Sequence, residues 1–171
     1  MRRRMNMPGL AALALAAAIT VTMTSCSSDD LVGVIVPTWS ESDLALIPDT
    51  LNVETSRLVL DVFLNRDYEP PSPQDGRRMT ANVTLRDVDE RELALEINDP
   101  VLAVVSGSSM WTVELEESPF DSHFPYELDY QAGSGPKWGP QIHVDVVMGF
   151  RIGNGAPQRV IARHVLIRES S

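Results

Sequence analysis

The chain has 171 residues, 43% of them hydrophobic, with 12 prolines and 10 glycines; this describes a folded domain with many turns and excludes a disordered tail. Its formal net charge of −10 opposes nucleic acid and anionic lipid surfaces as partners, and leaves cationic partners or divalent metals.

In chain order, the first signal is Arg2-Arg3-Arg4, followed by an apolar run from Leu10 to Met23 and the small-residue stretch Met23-Thr24-Ser25-Cys26. The run is about 14 residues long, short of the roughly 20 that a helix needs to cross a bilayer, so a cleaved secretory signal fits better than a transmembrane anchor. Cys26 is the only cysteine, and an unpaired thiol would be a liability in an oxidising compartment. The segment resembles the lipobox of bacterial lipoproteins, with Met23 where leucine is usual. The resemblance implies removal of residues 1–25 and attachment of acyl chains, palmitate among them, to Cys26. One chain holds only marginally at about 0.8 kcal/mol per buried methylene, so stable anchoring implies more than one. Ser27 in place of the aspartate of inner-membrane retention implies the outer membrane in a two-membrane host. Asp29 and Asp30 read as a solvated linker, or as an acidic surface-export tag.

Removing residues 1–25 leaves 146 residues, enough for one domain with a substantial core. That part has a charge of −13, because the signal holds three arginines and no acids. Residues 26–50, with Pro37 and Pro48, read as a lipidated tether that leads into a domain over 51–171.

That domain reads as strand after strand. Leu58, Leu60, Val62 and Leu64 share one parity, and residues 65–78 form a proline-rich loop, long enough to be functional or mobile. Met79, Ala81, Val83 and Leu85 alternate with polar residues, and Leu93, Leu95 and Ile97 are expected to return as the other arm of a hairpin. Val101 to Val105, then Trp111 to Leu115, then Tyr126 to Tyr130 continue the pattern, and residues 133–140 form a Gly/Pro-rich loop with Lys137 and Trp138. Ile142 to Phe150 gives the longest alternation, and Asn154-Gly155 signals a tight hairpin to a last strand over 159–168. About eight strands without an amphipathic helix predict an antiparallel β-sandwich, immunoglobulin-like in general plan.

A two-residue Asn154-Gly155 turn places Asp145 opposite His164, with His143 diagonal to His164 on the same face, Val144 facing Val165 and Met148 facing Ile161. Two imidazoles and a carboxylate suit Zn²⁺ or Cu²⁺; the alternative is a solvated Asp–His pair. Calcium has oxygens to choose from in Asp67, Asp75, Asp87, Asp89, Glu90 and Asp99, yet none of the spacings is that of an EF-hand. Trp39, Trp138 and Lys137 are candidates for membrane-surface or partner contacts. Catalytic signatures are missing: neither 106–108 nor 133–135 makes Gly-x-Ser-x-Gly.

The segments Val83-Thr-Leu-Arg-Asp-Val88 and Phe124-Pro-Tyr-Glu-Leu-Asp-Tyr130, with the strand ending at Phe150, resemble in their order those of YbaY-type and pilotin-type lipoproteins. That resemblance implies a small β-sandwich that escorts envelope assemblies. The expectation is a non-enzymatic, membrane-anchored interaction module without a cofactor, partnered by another envelope component; a periplasmic metal-binding lipoprotein is the alternative.

Overall fold

The computed structural model describes residues 41–119 and 124–170, all within the compact unit Val32–Ser171. Cys26 and Trp39 lie outside the described residues. A short helix, α1 (Glu41–Ala45), precedes β1 (Leu51–Val53), β2 (Ser56–Asp67), β3 (Thr80–Asp87), β4 (Ile97–Ser106), β5 (Ser109–Glu114), β6 (Glu116–Glu117), β7 (Glu127–Ala132), β8 (His143–Ile152) and β9 (Gln158–Ser170). The all-β class expected from the alternation is the class observed.

The strands form one sheet in the order β5-β4-β8-β9-β2-β3-β7-β6, with β1 added to β2. Only Leu115 separates β5 from β6, so the two ends of that order are neighbouring stretches of chain, and the sheet curls into a nearly closed barrel. The antiparallel sandwich is corrected here: β2 and β9 pair in parallel, which makes the sheet mixed.

Strand β9 is the reason. Its first part pairs with β8, and its last residues, from Ile167 to Ser170, pair with β2. Between the two lies a bulge. His143↔Leu166 and Val144↔Val165 share one register, whereas Val146↔Ala162 and the pairs beyond it are shifted by one residue. Arg163 and His164 together therefore face Asp145, and His164 takes a left-handed backbone with φ 53°. The extra residue flips the strand's parity, so that Val160 on one side of the bulge and Ile167 on the other both enter the same core.

Inward rows fill that core: Leu58, Leu60 and Leu64 from β2, Ala81, Val83 and Leu85 from β3, Leu102 and Val104 from β4, Val144, Val146, Met148 and Phe150 from β8. Trp111 joins them, and loop 133–142 passes so close over it that a Cβ at Gly135 would stand 3.0 Å from the indole. Only a glycine lets that loop close the gap.

Two sequence expectations change. Residues 93–97 do not return against β3, which pairs with β2 and β7 instead; Leu93 is still buried, held by its N–H to the Pro125 carbonyl at 2.9 Å. The last hairpin pairs Met148 with Val160, not Ile161, because its connection is odd in length and turns through Gly153 at φ 50°, with the Gly155 N–H bonded to the Ile152 carbonyl.

The stretch read as tether reaches the domain. Leu44 and Ile47 pack with Val147 and Ile161 on the outer face of β8 and β9. Pro48 ends the helical turn, and its carbonyl accepts the Ile161 N–H at 3.0 Å. Arg163 locks the segment by donating from Nη2 to the carbonyls of Leu44 and Ile47.

Candidate functional site

The strand directions gather loop 68–79, the β4–β5 turn, loop 133–142 and the end of β9 at one end of the barrel. There the inward row of β2 runs Leu58, Leu60, Val62, Leu64 and then Arg66, which is 2% exposed. A buried charge is costly unless its donors are satisfied. Arg66 satisfies its own on backbone: Nε donates to the Arg77 carbonyl at 3.1 Å, Nη1 to the carbonyls of Lys137 and Gly139 at 3.0 Å each, and Nη2 to the Asp75 carbonyl. The guanidinium also lies 5.0 Å from the centroid of the Tyr68 ring, a cation–π distance. The planar fork of an arginine suits four carbonyls from two loops; a lysine ammonium does not. Gly76 makes room for it, since a Cβ there would fall 2.7 Å from the Tyr68 ring and 2.9 Å from Arg66 Nη2.

Around this cage the carboxylates are tied down. Asp67 accepts the Glu69 N–H at 2.8 Å and the Ser72 hydroxyl at 3.1 Å, and pairs with Arg77 at 3.2 Å. The Glu69 N–H, with Ser72, Arg77 and Ser170 in support and against the cost of desolvation, holds its carboxyl below the ordinary aspartate value. Lys137 Nζ pairs with Asp75 across the two loops, and that hydrogen bond lowers the Asp75 carboxyl. Trp138 is half-buried and packs on the core. Of the two loop candidates, Lys137 thus pins one loop to the other, and Trp138 roots its own loop in the barrel.

His143, Asp145 and His164 lie at the same end, on β8 and β9. Asp145 Oδ1 accepts the backbone N–H of His164 at 3.0 Å: the carboxylate caps the bulge. Among the described residues no group of three His, Cys, Asp or Glu side chains stands close enough to hold a metal ion. Four of the six acids considered for calcium face cations of the chain instead: Asp89 meets Arg57 and Arg91, Asp99 meets Arg151, Asp67 meets Arg77 and Asp75 meets Lys137.

No protein family, curated protein or solved structure matches this chain. The site therefore rests on its own geometry.

Arg66 is hard to find from sequence because the prolines of residues 65–78 make that stretch read as a loop. The signal was present in the parity of β2: position 66 continues the inward row of 58, 60, 62 and 64. Asp87, read from the sequence as an oxygen for calcium, is wholly buried where the inward row of β3 ends. It accepts the N–H of Asp89 at 2.6 Å and of Arg57 at 3.3 Å. Burial raises its carboxyl, yet those bonds, the Ser56 side chain and the charge of Arg91 prevail and hold it below the ordinary value.

Proposed function

We propose that this chain is a lipid-anchored module of the bacterial cell envelope that binds another envelope component through the loop end of its barrel and catalyses no reaction. Acyl chains on Cys26 hold it to the membrane, the outer one in a two-membrane host. The observation that carries the interaction reading is Arg66 and its four carbonyl acceptors in loops 68–79 and 133–142. Loops of this length are ordinarily the mobile part of a small domain. A pre-ordered loop pair pays little entropy on meeting a partner, and Trp138, half-buried beside the exposed Lys137, is of a residue type that anchors contacts. The resemblance in segment order to YbaY-type and pilotin-type lipoproteins points the same way.

The test uses the full chain in its native membrane. A photo-crosslinker at position 137 or 138 is expected to trap a discrete envelope protein, whereas one at Asn82, on the outer face of β3, traps none. Equal trapping from both positions, or none from the loops, overturns the reading. Anchoring is tested separately by labelling with a fatty-acid probe, which Cys26→Ser should abolish.

A further inference from the structure

On the outer face of β4, β8 and β9, one row beyond the patch covered by Leu44 and Ile47, the sheet opens into a groove of about 280 Å³. Val101, Ala103 and Gly149 make its floor, Pro157 stands at one side, and Arg151 and Arg159 lie along it. The register explains the alignment: Val101 pairs with Gly149, Gly149 with Arg159, and Ala103 with Val147.

Gly149 is the residue that leaves the floor of the groove open. Glycine inside a strand costs stability, and it usually marks a bulge, a bend or a place where something else comes close. Gly149 pairs with Val101, at the end of the register shift that β4 makes between Asn98 and Val101, yet it has neither a positive φ nor crowding: a Cβ there would meet nothing nearer than the Gln158 carbonyl oxygen, at 4.0 Å. A side chain would therefore fit the strand at this position, and it would fill the floor of the groove. The charges at the groove run against the rest of the molecule. In a chain of net charge −10, an apolar floor is flanked by two arginines, and Arg151 pairs with Asp99 at 3.6 Å, with that aspartate 80% exposed.

We infer that this groove binds a small amphiphile: a short aliphatic chain laid over Val101, Ala103 and Gly149, with a carboxylate at Arg151 and Arg159 that displaces Asp99 from Arg151. Its volume sits at the small end for ligand pockets, which selects a short chain over a full-length lipid. The site is separate from the loop end and needs nothing from the reading of that end.

The probe is octanoate, titrated against the full chain in nanodiscs with empty discs subtracted. Saturable binding is expected. Gly149→Val should abolish it without lowering the melting temperature, since a β-branched residue suits an unstrained strand position, and Gly149→Ala should weaken it by a smaller factor. Replacing Arg151 and Arg159 with glutamine should weaken octanoate at least about tenfold and leave 1-octanol unchanged. Lack of saturation, binding indifferent to Gly149→Ala and Gly149→Val alike, octanol binding as tightly as octanoate, or a dimer that only the glycine variants disperse would each overturn the assignment.

Discussion

Arg66 and Asp87 occupy inward-facing positions at opposite ends of the barrel, one on β2 and the other on β3. Leu58 pairs with Asp87, and Arg66 lies eight residues further along β2, about 26 Å at strand rise. Each replaces an apolar side chain where a row reaches an end of the core; Arg66 donates to backbone carbonyls, and Asp87 accepts from backbone N–H groups and the Ser56 side chain. The barrel is thus closed at both ends by polar plugs that also hold the adjoining turns.

Arg66→Met should orphan four carbonyls at once and destabilise the domain by about 3 kcal/mol or more, read as a lower urea midpoint. Arg66→Lys should fall between the two, because one ammonium cannot reach the same set. A lysine variant as stable as the parent would mean that charge alone matters at this site.

Acid should weaken the fold through Asp67, Asp75 and Asp87. All three carboxyls are held below their ordinary values, so the unfolded chain takes up protons that the folded chain refuses. Their contribution is complete above about pH 4 and is lost as pH falls through the depressed folded values. Urea midpoints measured from pH 6 down to pH 2 should decline, and the decline should lessen in Asp87→Asn, whose starting stability is lower.

At alkaline pH the sign reverses. Desolvation, with Glu117 adding to it, pushes the Tyr130 hydroxyl up to about 12. A group whose folded value is raised supports the fold fully below its unfolded value of about 10 and withdraws that support as pH rises toward the folded one. Tyrosinate absorbance should show one of the three tyrosines ionising last, together with unfolding, and Tyr130→Phe should remove that late step.

The bulge makes a prediction of its own. His164 sits at φ 53° with its N–H on Asp145. His164→Gly should be tolerated, whereas His164→Val should cost about 1 to 2 kcal/mol, because a β-branched residue resists the left-handed region. Thermal melts of the two variants decide it; equal losses would mean that the imidazole, not the backbone, is what matters.

The period-2 pattern located the strands, and it placed Leu58, Val83, Trp111 and Met148 inside. Partners were harder to read. Alternation names a face, not a neighbour, so the parallel contact of β2 with β9 and the turning away of residues 88–96 from β3 left no mark in the local sequence. The expected hairpin register holds at His143 and Val144 and is off by one residue from Val146 to Phe150, because the Gly153 turn makes the loop odd and the bulge capped by Asp145 makes up the difference. At the candidate site Lys137 and Trp138 were legible as outliers of type. Arg66 was not, because a lone arginine among prolines and acids reads as solvated surface until its parity is followed.

The pairing of β2 with β9 also sets a timetable. Asn65 and Ser170, 105 residues apart, hydrogen-bond to one another, so β2 must wait for a neighbour that leaves the ribosome long after it. Until then that edge of β2 is an unsatisfied ladder. A domain stitched by so distant a contact folds slowly, because the closure entropy precedes the reward. During that wait the chain is prone to pair with the wrong edge, its own or another's. A holding chaperone is therefore a greater need for this chain before it folds than any stabilising factor is afterwards.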